Sequence, residues 1–307
     1  METATVMKSV ISLFLIMMAG VYGSKKGFIN SNTSKGLTDI LLEIALPCMI
    51  ITAFSFPYDE SVKSNILKTF CYSFAAYILI AIVSKILILP VIKEKKMILH
   101  FANIFTNTGY IGFPILNAVY GAEAVMYGSI FNMFFVIFLW TYGMMLFQGH
   151  IEKKGVIRQI LKALRNPSLI AVYIGLVMMM FELELPRLIS VSASSIGNMT
   201  GPISMLLVGA MLYKIDIKNH LKDWTIYYGI VVKLIIIPTV LYSISLLIRD
   251  ESIVSDCVII LASMPAAAMT SIFADRFNIN KDYAAVMVVA TTLLSVFTVP
   301  ILLEILL

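Results

Sequence analysis

Charged side chains are scarce in this chain of 307 residues: they make up 13% of it, while 60% of the residues are hydrophobic. Soluble globular domains carry about 25% charged residues, so this composition excludes an ordinary soluble domain. The apolar runs are long and continuous, whereas strands of an outer-membrane barrel give short alternating segments. The sequence therefore predicts an all-α integral membrane protein.

Cysteine and histidine are also few, with three of each. Cys48, Cys71 and Cys257 lie in or beside apolar runs and form no CxxC pair, which argues against a disulfide framework or a metal site. No HExxH, GxSxG or Walker-type glycine loop occurs. We therefore expect no enzyme activity, no cofactor, no metal and no nucleic-acid partner, and we assign the net charge of +5 to cytoplasmic loops.

Ten apolar runs are long enough for a membrane span, which takes about 20 residues. They cover residues 6–23, 37–57, 67–92, 97–119, 123–147, 167–185, 188–213, 224–248, 253–275 and 282–306. Sixteen lysines and arginines fall in the connections after odd-numbered spans, against five in the other connections and at the termini. Because positive residues stay on the cytoplasmic side, we expect a protein of the cell membrane with both termini outside.

The most basic connection divides the chain into two halves of five spans each. We expect a first repeat at 1–148, a cytoplasmic linker at 149–166 and a second repeat at 167–307. The linker is predicted to form a short basic amphipathic helix against membrane lipid. Each half carries a proline in its second span, Pro47 or Pro202. Five is an odd number, so the two halves enter the membrane from opposite sides, an inverted repeat typical of secondary transporters.

Two spans contain helix breakers at matching places in the two halves. Span four carries TNTGYIGFP and span nine carries SMPAAAMTS. Irregular backbone at membrane depth is tolerated where protein buries it or where it lines a wet cavity. We therefore predict that helices four and nine are broken and cross each other, and that their half-helix N-termini hold an anion. The candidate substrate-binding residues are Asn103, Asn107, Thr108, Gly109, Pro114, Pro265, Ala266, Ala267, Thr270 and Ser271.

Two ionisable residues within predicted spans are further candidates, because charges are costly there. Lys233 lies well inside span eight, either as a cation near the ligand or as a packing cation paired with a carbonyl or carboxylate. Glu43 lies in span two, either as the carrier of a coupling proton or as a partly exposed carboxylate at a helix end.

Three stretches carry a resemblance to a known family: NTGYIGFPI in span four, SMPAAAMTSIFADRFN in span nine and RNPSLIAVYIGL at the start of span six. They resemble the auxin efflux carrier family, whose bacterial members are often described as malate or malonate permeases. The resemblance covers essentially the whole chain. One departure is that the crossover proline of the plant carriers in span nine is Ser271 here, with Pro265 six residues earlier.

The resemblance implies an elevator-type carrier. Spans one, two, six and seven would form a scaffold and a homodimer interface, and spans three to five and eight to ten would form the moving transport domain. The crossing of spans four and nine would hold the carboxylate of a small organic anion. Two other functions stay open: a sodium-coupled symporter of the related bile-acid type, and a membrane receptor that binds a ligand without moving it.

Overall fold

The structure is a computed structural model that describes residues 3–55, 60–148, 161, 164–214, 223–250 and 252–306. These ranges are helical and contain no strand. The α-helices are α1 (Thr3–Lys25), α2 (Ser31–Ile40), α3 (Leu46–Ala53), α4 (Glu60–Leu87), α5 (Lys93–Ile104), α6 (Phe113–Tyr120), α7 (Ala122–Phe138), α8 (Met144–Gln148), α9 (Pro167–Met180), α10 (Arg187–Gly197), α11 (Thr200–Lys214), α12 (Trp224–Val231), α13 (Ile237–Ile248), α14 (Ile253–Ser263), α15 (Met269–Arg276) and α16 (Lys281–Leu306). Stretches of π-helix occupy Leu41–Ala45, Thr108–Gly112, Leu139–Gly143 and Val232–Ile236.

Several of these helices have the length and composition of membrane spans. The six that qualify are Ser31–Ala53, Val62–Leu87, Ala122–Gln148, Arg187–Tyr213, Trp224–Ile248 and Lys281–Leu306. Large apolar side chains also point outward, with Leu188 and Leu247 each 81% exposed. The prediction of an all-α multi-pass membrane protein is confirmed, whereas the arrangement of ten spans as two inverted repeats remains a prediction.

Four helices begin where a short polar side chain bonds free backbone N–H groups of the first turn. The side chain of Asn30 accepts two such bonds of 3.0 Å at the start of α2. Asn166 caps α9 in the same way, with Pro167 in the first helical position, where its missing N–H costs nothing. Asp223 and Ser252 cap α12 and α14. The connections therefore define where the apolar helices start.

Three prolines inside apolar runs follow stretches of π-helix. Pro47, Pro114 and Pro238 each lie in the first turn of a new α-helical segment, two residues after a π-helical stretch ends. Proline cannot donate to the carbonyl four residues earlier and clashes with it. The wider π-helical turn removes this conflict, so the helix continues through the proline with a local adjustment.

The chain forms two compact units, described here separately. The first comprises residues 1–71, 109–133 and 164–214, and the second comprises residues 72–108, 134–163 and 215–307. In the first unit, α1 packs on α11 at two glycines. A Cβ on Gly20 would collide with the backbone of Leu206, and one on Gly209 would collide with the carbonyl of Met17. Small residues let these two helices approach to backbone contact.

The second unit contains the points at which both spans are interrupted. Gly229 of α12 lies against Leu99 of α5 and Met287 of α16, so these three helices pack closely. Aromatic rings fill the space beside α5: the ring centroid of Phe101 lies 4.4 Å from that of Phe105 and 5.3 Å from that of Phe273. The linker 149–166, predicted as an amphipathic helix, falls almost wholly outside the described residues. The assignment of repeats, scaffold and transport domain remains a prediction.

Candidate functional site

Two helices of the second unit are interrupted at buried positions. Helix α5 ends at Ile104, and Phe105 takes an extended conformation with φ −93° and ψ 108°. Helix α14 ends at Ser263, and Met264 is likewise extended, with φ −60° and ψ 152°. Helical structure resumes only at the π-helical stretch that begins at Thr108 and at α15. The interruptions therefore leave short non-helical segments, 105–107 and 264–267, before a turn at Ala268 leads into α15.

The two extended segments pair with each other. Thr106 and Ala266 form an isolated antiparallel bridge. The N–H of Asn107 donates to the carbonyl of Pro265 at 2.8 Å, and the N–H of Ala267 donates to the carbonyl of Phe105 at 2.8 Å. Groups that a helix would have satisfied along its own axis are thus satisfied across the two segments, as burial requires.

A lysine holds the C-terminal ends of both interrupted helices. The ammonium of Lys233 donates to the carbonyl of Asn103 at 2.9 Å and to the carbonyl of Ala262 at 3.3 Å. Each carbonyl belongs to the last turn of its helix, where no intrahelical N–H is available. The side chain is fully buried, and no ion pair of Lys233 with a carboxylate occurs among the described residues. Lys233 thus pairs with backbone carbonyls, and its predicted role as a cation near the ligand remains a prediction.

Three buried side-chain oxygens near the interruptions have no hydrogen-bond partner in the described part of the chain. They are Oδ1 of Asn103, Oγ1 of Thr106 and Oγ1 of Thr270. These residues are at most 1% exposed. Buried polar atoms are normally paired, because each unpaired one costs about 1–3 kcal/mol. Atoms of this kind are candidates for binding a polar ligand.

A chain of side-chain hydrogen bonds leads away from the interruption in α5. Nδ1 of His100 lies 2.9 Å from Oγ of Ser84, and its Nε2 lies 2.8 Å from the hydroxyl of Tyr142. The amide of Asn103 donates to the same serine oxygen at 3.0 Å. His100 is not among the residues predicted for the site, although its spacing of three from Asn103 places both on one helix face. That polar spacing was the available signal.

Most of the predicted site residues lie together in the second unit. Asn107 is buried at the end of the first extended segment, and Thr108 is buried at the start of the π-helical stretch that follows. Pro265, Ala266 and Ala267 belong to the second segment. Thr270 is fully buried in the first turn of α15, and the next residue, Ser271, is half-buried. Ala266 is also held from outside the pair, since its N–H donates to Oγ1 of Thr291 at 3.2 Å.

The other predicted residues lie in the first unit. Pro114 is buried in the first turn of α6, so the interruption in span four comes before this proline and is not made by it. A Cβ built on Gly109 would have no described atom within 4 Å, so there is open space beside this glycine. Glu43 is exposed within the π-helical stretch that follows α2. Its predicted coupling role remains a prediction.

Two archaeal proteins are similar to this chain over nearly their full lengths. A transporter of Methanocaldococcus jannaschii described as uncharacterized is 23% identical over 305 residues, which are 95% of this chain and 96% of the relative. A transporter of Methanothermobacter thermautotrophicus, also described as uncharacterized, is 19% identical over 309 residues, or 96% of each chain. Both comparisons indicate a transporter rather than an enzyme.

The sequence profile of a family described as membrane transport protein matches residues 5–303. The match includes both interrupted helices and every candidate site residue. The chain is therefore a membrane transporter, and it belongs to the membrane transport protein family of the auxin efflux carriers.

Proposed function

We propose that this protein is a secondary active transporter that moves a small organic anion, a mono- or dicarboxylate, across the cytoplasmic membrane. The observation that carries the proposal is the pairing of two interrupted helices at a buried position, beside polar atoms that have no hydrogen-bond partner among the described residues. Carriers built from such helices hold substrate and coupling ion where the helices are interrupted.

The chemistry of the interruption favours an anion. The C-terminal carbonyls are already bound by Lys233, which leaves donors on the opposite, N-terminal side. Helix α15 begins at Met269, and the buried hydroxyl of Thr270 in its first turn has no partner among the described residues. The N-terminus of a helix carries positive partial charge, and a hydroxyl can donate, so a carboxylate suits both.

We further propose that the carrier works by an elevator mechanism, as the family resemblance implies. In this mechanism spans one, two, six and seven form a scaffold that joins two copies of the chain. The remaining spans carry the substrate through the membrane as one body. Gly109, which has open space beside it, and the buried Pro114 are the substrate-binding residues predicted in the first unit.

Uptake by purified protein in liposomes tests the proposal. We expect a pH or sodium gradient to drive uptake of at least one radiolabelled carboxylate among malate, malonate and indole-3-acetate. Asn107→Ala should lower that uptake about tenfold or more, since the loss of one hydrogen bond to a charged group costs about 1.5–3 kcal/mol.

Asn117→Ala is the matched control, because Asn117 belongs to the same predicted span but is exposed on α6. It should transport at the wild-type rate, and both variants should unfold at nearly the wild-type temperature. Unchanged uptake by Asn107→Ala would remove this residue from the site. Binding of a carboxylate without any flux would instead support the receptor function.

A further inference from the structure

We propose that the ammonium of Lys233 supplies the positive charge at the crossing of the two interrupted helices. It takes the position that a coupling sodium ion would otherwise occupy. The unfolding temperature and ligand binding of the carrier would then be independent of sodium. This inference deepens the proposed function, since it concerns the driving ion, but its test needs no substrate.

The two interrupted helices bring negative partial charge to one buried place. A helix C-terminus carries about half of a negative elementary charge on its unpaired carbonyls. Helices α5 and α14 both end at the crossing, at Ile104 and Ser263. Two such ends together amount to about one negative charge in a buried place. A single cation is the natural match, and in transporters with discontinuous helices a coupling ion often binds such ends.

The ammonium of Lys233 lies between the two helix ends. Its two bonds, of 2.9 Å to Asn103 and 3.3 Å to Ala262, reach one carbonyl from each helix end. Main-chain carbonyl oxygens are also the ligands that a hard cation such as sodium uses. Because the ammonium already binds them and is fully buried, it provides from within the chain the charge that an ion would bring.

The backbone around Lys233 is π-helical rather than α-helical. Lys233 is the second residue of the π-helical stretch Val232–Ile236, which precedes Pro238. Such stretches alter the direction of side chains locally and are frequent at functional sites. From this π-helical stretch the side chain of Lys233 reaches one carbonyl at the end of each interrupted helix.

The proposal is tested by thermal unfolding of the purified full-length protein in choline, sodium or potassium chloride at equal ionic strength. The wild type should unfold at the same temperature in all three salts. Lys233→Met keeps much of the length and removes the charge, leaving two buried carbonyls unpaired. It should therefore unfold about 5–15 °C lower in choline chloride.

Lys233→Ala also removes the volume of the side chain. We expect sodium or methylammonium to restore at least half of its lost unfolding temperature relative to choline. Lys85→Met is the matched control, because Lys85 is an exposed lysine in a membrane span. It should show a small loss and no rescue by cations.

Two results would overturn the proposal. One is a wild type that sodium stabilises over choline and potassium, which would indicate a separate sodium site. The other is a Lys233→Ala protein that no small cation stabilises, which would leave Lys233 a packing residue. If both Lys233 variants fail to fold, the salt series on the wild type still decides. Failure to find any transported carboxylate would count against the proposed function and leave these measurements unaffected.

Discussion

Asp223 illustrates how a single side chain at the end of a span contributes to stability. Its carboxylate caps α12 and pairs with the ammonium of Lys95 at the start of α5. Burial raises the pKa of Asp223, but hydrogen bonds from Lys95 and Thr225 outweigh it, so the pKa lies below the ordinary value. A lowered pKa means that the folded state gains stability above the pKa of the unfolded chain, about 3.9, and loses it below.

We therefore expect Asp223→Asn, which keeps the cap and removes the charge, to lower the free energy of unfolding by about 1 kcal/mol or less at neutral pH. The difference from wild type should shrink as the pH falls below about 4. Thermal unfolding of both proteins between neutral and acidic pH measures it. A difference that is constant across this range would mean that the ion pair contributes nothing.

Residue types in the sequence indicated part of the site but not its contacts. The position of Lys233 within an apolar run was enough to make it a candidate, because burying a charge in a membrane span costs free energy. Its partners are the main-chain carbonyls of Asn103 and Ala262, which are far apart in sequence. Because every residue has such a carbonyl, the pattern of side chains does not predict these partners. His100 was missed for a similar reason, since its partners Ser84 and Tyr142 come from other helices.

The sequence also predicted that two helices are interrupted but not where the interruption in span four lies. The polar and breaker residues of TNTGYIGFP and SMPAAAMTS correctly indicated two interrupted spans. The sequence did not predict where span four is interrupted. A π-helical turn accommodates Pro114, whereas the helix is interrupted at 105–107, where another extended segment pairs with it. Such pairing depends on tertiary structure, so a proline by itself does not locate the break.

The paired extended segments lead to a prediction about helix-breaking substitutions. Ala267→Pro removes the N–H that donates to the carbonyl of Phe105, leaving that carbonyl buried and unpaired. We expect a loss of about 3 kcal/mol or more in the free energy of unfolding, measured by thermal or chemical unfolding in detergent. Ala267→Ser enlarges the same buried side chain but keeps the N–H, and it should cost clearly less. Equal losses in the two variants would mean that side-chain volume, not the hydrogen bond, decides.

For the molecule as a whole, the number of membrane spans predicted from hydropathy is larger than the number of long apolar helices in the described structure. Among the described residues, six helices qualify by length and composition, and Ile11–Lys25, Pro167–Met180 and Ile253–Ser263 are shorter apolar helices. The difference is largest at spans four and nine, where the apolar run continues but the helix is interrupted. Hydropathy measures the length of an apolar run but does not detect an interruption of the helix within it. The number of membrane crossings is therefore tested separately.

The inverted repeat predicts on which side of the membrane two points of the chain lie. Five crossings before the linker and five after it place the linker at 149–166 in the cytoplasm and the C-terminus outside, as the distribution of lysine and arginine also requires. We expect alkaline phosphatase to be active when fused after Leu307 and inactive when fused in the linker, with green fluorescent protein giving the opposite pattern. Two fusions on the same side would mean an even number of crossings in the second half. Two parallel halves would then replace the inverted ones, and the two interrupted helices could not be related by an axis in the membrane plane.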